Sequence, residues 1–260
     1  MPRAMWIWPV LLTMAIAAEA GPPARVVSLA PNLTDMVLHL GAGSSLAAVT
    51  PFCAAPENLP RIPGGMQPEA ETILALGPDL VLASAITPET TLGQLRNLGI
   101  RTEVFETGSL EQIRTAEARL AAIFEVDASH ESASNGAPVA HTAVLLFGAD
   151  TSYSAGCGTH AHEILAAAGL HNIAAEVSGP WPQLGEEFLL ASDPDVIIVA
   201  DYGGAKRETL VDLLRRHPVR KHLSAVREGR VVVFPARAFS IPGPAALQAG
   251  QKLRDEVEKL

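Results

Sequence analysis

The chain has only two cysteines, Cys53 and Cys157, in 260 residues, too few for a disulfide-built scaffold. In an oxidising compartment the two can pair only if their Cα atoms come within about 7 Å. Positive charge is scarce as well: 19 Lys and Arg against 28 Asp and Glu leave a net charge of −9. With no basic stripe and no RNA- or DNA-binding signature, no nucleic-acid partner is expected. Catalytic signatures are also missing. Gly41-Ala42-Gly43-Ser44-Ser45-Leu46 lacks the last glycine of a dinucleotide fingerprint, and neither a Gly-x-x-x-x-Gly-Lys-Ser/Thr loop nor a Gly-x-Ser-x-Gly elbow occurs. Cys157 and His160 are a nucleophile and a base by type, but nothing places an orienting third group beside them. No catalytic residue is assigned, and an enzyme is not expected. Beyond the N-terminus no segment is long and apolar enough to cross a bilayer.

What is present is a folded composition, 48% hydrophobic and 18% charged, long enough for one large domain or two lobes of about 100–120 residues. At the start, Arg3 precedes an apolar run from Met5 to Ala18, and Ala18-Glu19-Ala20 makes a small-x-small site before Gly21. Residues 1–20 have the layout of a cleavable secretory signal, and the run is short for a membrane span. No cysteine follows it, so no lipid anchor is indicated. A periplasmic location is expected, with no membrane insertion after cleavage.

Further along, strand and helix patterns alternate. "RVVSLA" (25–30) and "LAAVT" (46–50) read as strands. Between them Leu33, Met36, Val37 and Leu40 fall at helical spacing, with Gly41 at the helix end. "PETTLGQLRNLG" closes a helix on Gly99, and "IRTEVF" (100–105) is again a strand. Leu110, Ile113, Leu120 and Phe124 mark an amphipathic helix that gives out in the polar stretch 125–141. The alternation then restarts with "TAVLLFG", "HAHEILAAAG", "VIIVA", "ETLVDLLRRH", "RVVVF" and a final helix from "AALQAGQKLRDEVEKL". Such alternation predicts parallel sheet with right-handed crossovers. The expected fold is α/β, two Rossmann-like lobes with parallel sheets joined by a linking helix. Its boundaries are a signal at 1–20, an N-terminal lobe at 25–109, a linking helix and polar linker at 110–138, and a C-terminal lobe at 139–260.

One short unit occurs twice: "ETILALGPDLVLA" (71–83) and "EFLLASDPDVIIVA" (187–200). Each is a short helix stopped by Pro-Asp and followed by a strand. Glu71 and Glu187 lie near the helix starts, where a carboxylate suits the helix dipole. Two similar lobes would each present one acidic knob, and a partner with two basic sockets would gain specificity and encounter rate from the pair.

Five ordered motifs, "RVVSLAPNLTDMVLHLGAG", "AVTPFCAAPE", "GGMQPEAETILALGPDLVLA", "AGCGTHAHEILAAAGLHNIA" and "PWPQLGEEFLLASDPDVIIVA", resemble those of the vitamin B12 and ferric-siderophore periplasmic binding proteins of ABC importers. The resemblance runs over most of residues 25–260, including Pro242-Gly243-Pro244. It implies two lobes on a rigid linking helix, a ligand in the cleft between them, and Glu71 and Glu187 engaging arginines of the importer permease. It also implies a monomer without a cofactor of its own. The sequence departs from the pattern where the linking helix is followed by 125–141, and at Asp35, where the family has Glu.

Candidates for the cleft come from strand-end loops: Pro31, Asn32, Phe52, Cys53, Met66, Ser84, Tyr153, Trp181, Tyr202 and Phe239. Clefts of this kind are mostly apolar with a few oriented polar groups. A corrinoid, broad and amide-armed, needs aromatic walls, and Trp181-Pro182-Gln183 resembles the B12-binding members. A ferric siderophore or haem is the alternative. An anionic siderophore would need cleft cations, for which Arg61 and Arg237 are the candidates. Cys157, His160 and His162 are metal-ligand types, and histidine can coordinate the cobalt or iron of a chelate. Two residues apart, however, His160 and His162 do not share a helix face, so structural roles are expected. A free metal-ion carrier needs three or four converging ligands, and no such set is visible; no metal-site residue is assigned.

Overall fold

The computed structural model describes residues 21–64, 68–127, 141–203 and 206–260. In the first half the chain runs through β1 (Val26–Ser28), α1 (Pro31–His39), β2 (Leu46–Val49), α2 (Ala70–Ala75), β3 (Leu80–Ser84), α3 (Glu89–Asn97), β4 (Thr102–Phe105) and α4 (Leu110–Phe124). The second half adds β5 (His141–Leu146), α5 (His160–Ala167), β6 (Leu170–Asn172), α6 (Glu186–Ser192) and β7 (Val196–Asp201). It ends with α7 (Arg207–Arg216), α8 (Ser224–Arg227), β8 (Val231–Pro235), α9 (Arg237–Ser240) and α10 (Pro244–Val257).

The strands form two separate four-stranded sheets, ordered β2-β1-β3-β4 and β6-β5-β7-β8. Every pairing in both is parallel. The second sheet therefore repeats the first, which is the two-lobed α/β arrangement that the alternation and the doubled unit predict.

Strand periodicity sorts the core into layers. Leu80 and Leu82 of β3 point into one apolar cluster while Val81 and Ala83 point into another. In β7 the same split divides Val196 and Ile198 from Ile197 and Val199. The inward faces of both sheets, from Leu82 in the first to Leu145 and Ile198 in the second, belong to one continuous cluster. Between them lie α1, α4, α5, α9 and α10, through residues such as Met36, Ile113, Ile164, Phe239 and Leu253. The outer faces are covered separately, by α2 and α3 on the first sheet and by α6, α7 and α8 on the second.

Local signals set the element ends. Pro31 and Pro244 open α1 and α10, where the missing N–H costs nothing. Ser109 and Gln112 make a reciprocal capping box at the start of α4, and Gly41 and Gly99 leave their helices with φ of 74° and 73°, a region glycine enters freely. Two features escaped the sequence pattern. Strand β6 has three residues, of which only Leu170 is apolar and buried, and α8 and α9 are single turns of four residues. The polar stretch after Phe124 begins with Glu125 in the left-handed region; residues 128–140 of that stretch lie outside the described residues, as does the signal at 1–20. No helix among the described residues is long and apolar enough to cross a membrane.

Helices α10 and α5 pack closely in the shared layer. A Cβ added to Gly250 would stand 2.7 Å from the Ala167 Cβ, closer than two carbons pack. Gly250→Val should destabilise the protein by about 1–3 kcal/mol through overpacking. Urea denaturation checks this, and an unchanged midpoint would show that the two helices separate freely.

Candidate functional site

A cavity of about 440 Å³ opens at the carboxyl edges of both sheets, the edge at which α/β folds place their ligands. On the first lobe its wall is made by Pro31 and Asn32 after β1, Phe52 after β2, Ser84 at the end of β3 with Ala85 and Ile86 beyond it, and Glu106, Thr107 and Gly108 after β4. On the second it is Gly158, Thr159 and His160 at the start of α5, Pro180 and Trp181 beyond β6, and Ser240, Ile241 and Pro242 beyond β8. A wider hollow of about 880 Å³ lies alongside and shares Ser240 and Ile241 with it.

The wall is preorganised. Buried Asn32 donates from Nδ2 to Thr107 Oγ1 at 3.0 Å, and Thr159 caps α5 by accepting from the His162 N–H at 3.1 Å. Trp181 meets Phe147 edge to face at 5.7 Å and His160 at 6.5 Å, yet stays 48% exposed. It thus offers a supported aromatic surface to whatever enters. Charge is nearly absent: Glu106 is the only acidic lining residue, and no lysine or arginine lines the cavity among the described residues.

The two arginines expected as cleft cations do not line the cavity and hold internal partners, although Arg237 lines the neighbouring hollow. Arg61 donates to the Cys53 and Ala55 carbonyls at 2.7 Å each and so ties down its own loop. Arg237, in α9, grips both oxygens of Asp35 in α1, an ion pair that crosses from one lobe to the other. Burial pushes the Asp35 carboxyl upward, against the lowering effect of the guanidinium. A second crossing bond runs from the Leu110 N–H, at the head of α4, to Glu163 Oε2 in α5 at 2.6 Å.

Of the sequence candidates, Pro31, Asn32, Phe52, Ser84 and Trp181 come together around the cavity. Four others are placed differently. Cys53 is buried beneath the wall, its sulfur accepting from Thr34 Oγ1 at 3.1 Å. Phe239 is fully buried against Phe234 at 5.5 Å; it packs α9 onto the shared layer and offers no surface to the cleft. Tyr153 is exposed on a bridge to Gln183, and Tyr202 lines the neighbouring hollow instead. Met66 lies outside the described residues. Both cysteines are free, Cys53 buried and Cys157 exposed. Sequence reasoning passed over Ile86, Thr107 and Ile241, although each follows directly on a strand or short helix at the carboxyl edge.

His160, weighed in the sequence as a metal-ligand type and expected in a structural role, is a 4% exposed part of the cavity wall, its Nε2 without a hydrogen-bond partner among the described residues. His162, by contrast, is used up: its Nδ1 is 3.1 Å from Asn172 Nδ2. Among the described residues no three His, Cys, Asp or Glu side chains converge as a metal-ion site.

Glu71 and Glu187 occupy equivalent places. Each is the second residue of its helix, α2 or α6, and each helix leads into the third strand of its sheet. A helix of this kind runs back against the strands, so its first turn lies at the carboxyl edge, the edge that holds the cavity. Both side chains are exposed.

Burial holds the His160 imidazole down at about 4, although the Ala238 and Phe239 backbone favours its protonated form. The folded protein therefore keeps the ring neutral where the unfolded chain, near 6.5, protonates it. Stability from this group is complete above the unfolded value and is lost as pH falls from about 6.5 toward 4. His160→Phe should flatten that part of the stability profile. Denaturant midpoints across this range check it, and parallel profiles for the two proteins would contradict it.

Residues 26–238 match the family model described as periplasmic binding protein. The vitamin B12-binding protein of Pectobacterium atrosepticum is 30% identical over 222 residues, which cover 77% of this chain and 77% of that one. Among solved structures, the periplasmic vitamin B12 binding protein of Vibrio cholerae aligns with a TM-score of 0.69 at 24% identity, over 92% of this chain and 98% of that one. A periplasmic heme binding protein from Pseudomonas aeruginosa gives 0.70 at 24% identity, over 89% and 91%. These two likenesses speak for the fold, and the match over residues 26–238 speaks for descent. The chain, with its duplicated sheets and the cavity between them, belongs to the periplasmic binding protein family, whose members bind solutes and are not enzymes.

Proposed function

We propose that the protein captures a corrinoid of the vitamin B12 type in the periplasm, after removal of residues 1–20, and delivers it to an ABC importer. The observation that carries the reading is the chemistry of the cavity wall. Trp181, Phe52, Ile86, Ile241 and three prolines supply apolar surface, and the polar groups among them, Asn32, Ser84, Thr107, Thr159 and Ser240, are neutral apart from one carboxylate, Glu106. Such a wall suits a large ring with amide arms. It suits an anionic siderophore less, because no lysine or arginine lines the cavity itself among the described residues, Arg207 and Arg237 lying in the neighbouring hollow, and an unpaired anion in an apolar site is costly. The 30% identical relative named for vitamin B12 supports the same choice.

One observation favours a second reading, haem. The neutral ring of His160 lies in the wall with Nε2 unpartnered, and neutral imidazole is a good ligand for iron. Titrating the purified protein with cobalamin, haemin and a ferric siderophore, followed by tryptophan fluorescence, separates the readings. Cobalamin should saturate the protein at the lowest concentration. Preference for haemin, with a Soret shift abolished by His160→Ala, would replace corrinoid by haem.

Trp181→Ala should weaken cobalamin binding by about tenfold or more, as loss of a central aromatic contact does; an unchanged Kd would remove Trp181 from the site. The importer would be engaged through Glu71 and Glu187. The variant carrying Glu71→Ala and Glu187→Ala should keep its cobalamin affinity while losing affinity for the permease and transport. Unchanged transport in proteoliposomes would count against docking through these carboxylates.

A further inference from the structure

Two glutamates open α6, and among the described residues Glu186 is the one whose carboxylate holds a side-chain partner. Glu186 accepts from Arg220 Nη2 at 2.8 Å and from Arg220 Nε at 3.1 Å, while Arg220 Nη1 donates to the Ala149 carbonyl at 2.8 Å. The arginine side chain is 1% exposed. His217 stands behind the pair: its Nδ1 accepts the Val219 and Arg220 N–H groups, and its Nε2 faces Glu186 at 3.9 Å. Glu187, next in sequence, is exposed.

Burying an arginine is a weak route to stability, since apolar side chains of similar volume do as well or better. What such a pair can supply instead is a single choice among otherwise similar arrangements. Helix α6 needs such a choice. It has seven residues, one buried side chain (Leu189), one partly buried against the same cluster (Phe188) and no side-chain cap at its N-terminus, so few other contacts set the rotation of its first turn.

We infer that Arg220 is the positioning residue for docking through the second lobe. By holding Glu186 inward, it fixes the first turn of α6 so that Glu187 is the carboxylate presented to the importer. The inference rests on the docking reading above. The first lobe is built differently: α2 is held at its far end, where Arg25 donates to the Leu76 and Gly77 carbonyls at 2.6 and 3.1 Å. Arg220 therefore acts on one docking carboxylate and not on the other.

A double-mutant cycle on permease affinity, with the importer in lipid nanodiscs, tests this. Glu187→Gln and Arg220→Met should each weaken docking by roughly tenfold, the scale of a close interfacial charge contact. Combined, they should weaken it little further, because Glu187 without its support is already misplaced. Arg220→Met with Glu71→Gln should instead multiply the two losses. Cobalamin affinity should be unchanged throughout, which a general loosening of the lobe would not allow. Glu186→Gln, which keeps the shape and removes the charge, gives the same cycle should Arg220→Met fail to fold. Multiplied losses in both cycles would overturn the positioning role while leaving the docking reading intact; no effect of Glu187→Gln alone would overturn both.

Discussion

The arrangement depends on one apolar layer shared by two sheets. Leu33, Met36, Ile113, Leu120, Ile164 and Leu165 are all completely buried there, and each such side chain contributes about 1.5–3 kcal/mol relative to exposure. The ion pair that crosses between the lobes, Arg237 with Asp35, leaves the arginine side chain 42% exposed. Pairs of that kind are worth about 0–1 kcal/mol. The helices hold the lobes together; the ion pair fixes their register at the mouth of the cleft.

That hierarchy has a consequence for binding. Moving the lobes far apart would open an interface lined by α1, α4, α5 and α10, exposing core rather than surface. Wide hinge opening is therefore a costly way to admit cargo, and a largely preformed cleft is the cheaper one. A preformed site also loses less conformational entropy when it is filled. The wall fits this account, because Asn32 with Thr107 and Thr159 with the α5 backbone are hydrogen-bonded before any ligand arrives. The same rigidity would suit the proposed docking, since carboxylates on two separate lobes could match two fixed sockets only while the spacing between the lobes is kept.

Much of the fold was legible because its signals are local and periodic. The apolar runs in "RVVSLA" and "PDLVLA", buried throughout as strands, Pro31 and Pro244 at helix starts, and Gly41 and Gly99 at helix ends each follow from backbone geometry within a few residues. The doubled Glu-to-Pro-Asp unit made the duplication visible. The site was legible in part, since strand-end position is a sequence property whereas the direction a side chain faces is not. Pro31, Asn32, Phe52, Ser84 and Trp181 lie on loops that reach the cavity. Phe239 has the same kind of position, but one turn of α9 rotates it into the core against Phe234. His160 was expected in a structural role for the converse reason: spacing could show that it does not share a face with His162, but not which of the two faces the cavity. The commitment of Arg237 to Asp35, 202 residues away, is beyond any local pattern.

The central claim is that cargo is held jointly by the carboxyl edges of both sheets. Hydrogen exchange read by mass spectrometry, with and without saturating cobalamin, tests it most directly. Protection should appear together in peptides containing 31–32 and 106–108 of the first lobe and 158–160, 180–181 and 240–242 of the second. Protection confined to one lobe, or lying away from these loops, would contradict the account.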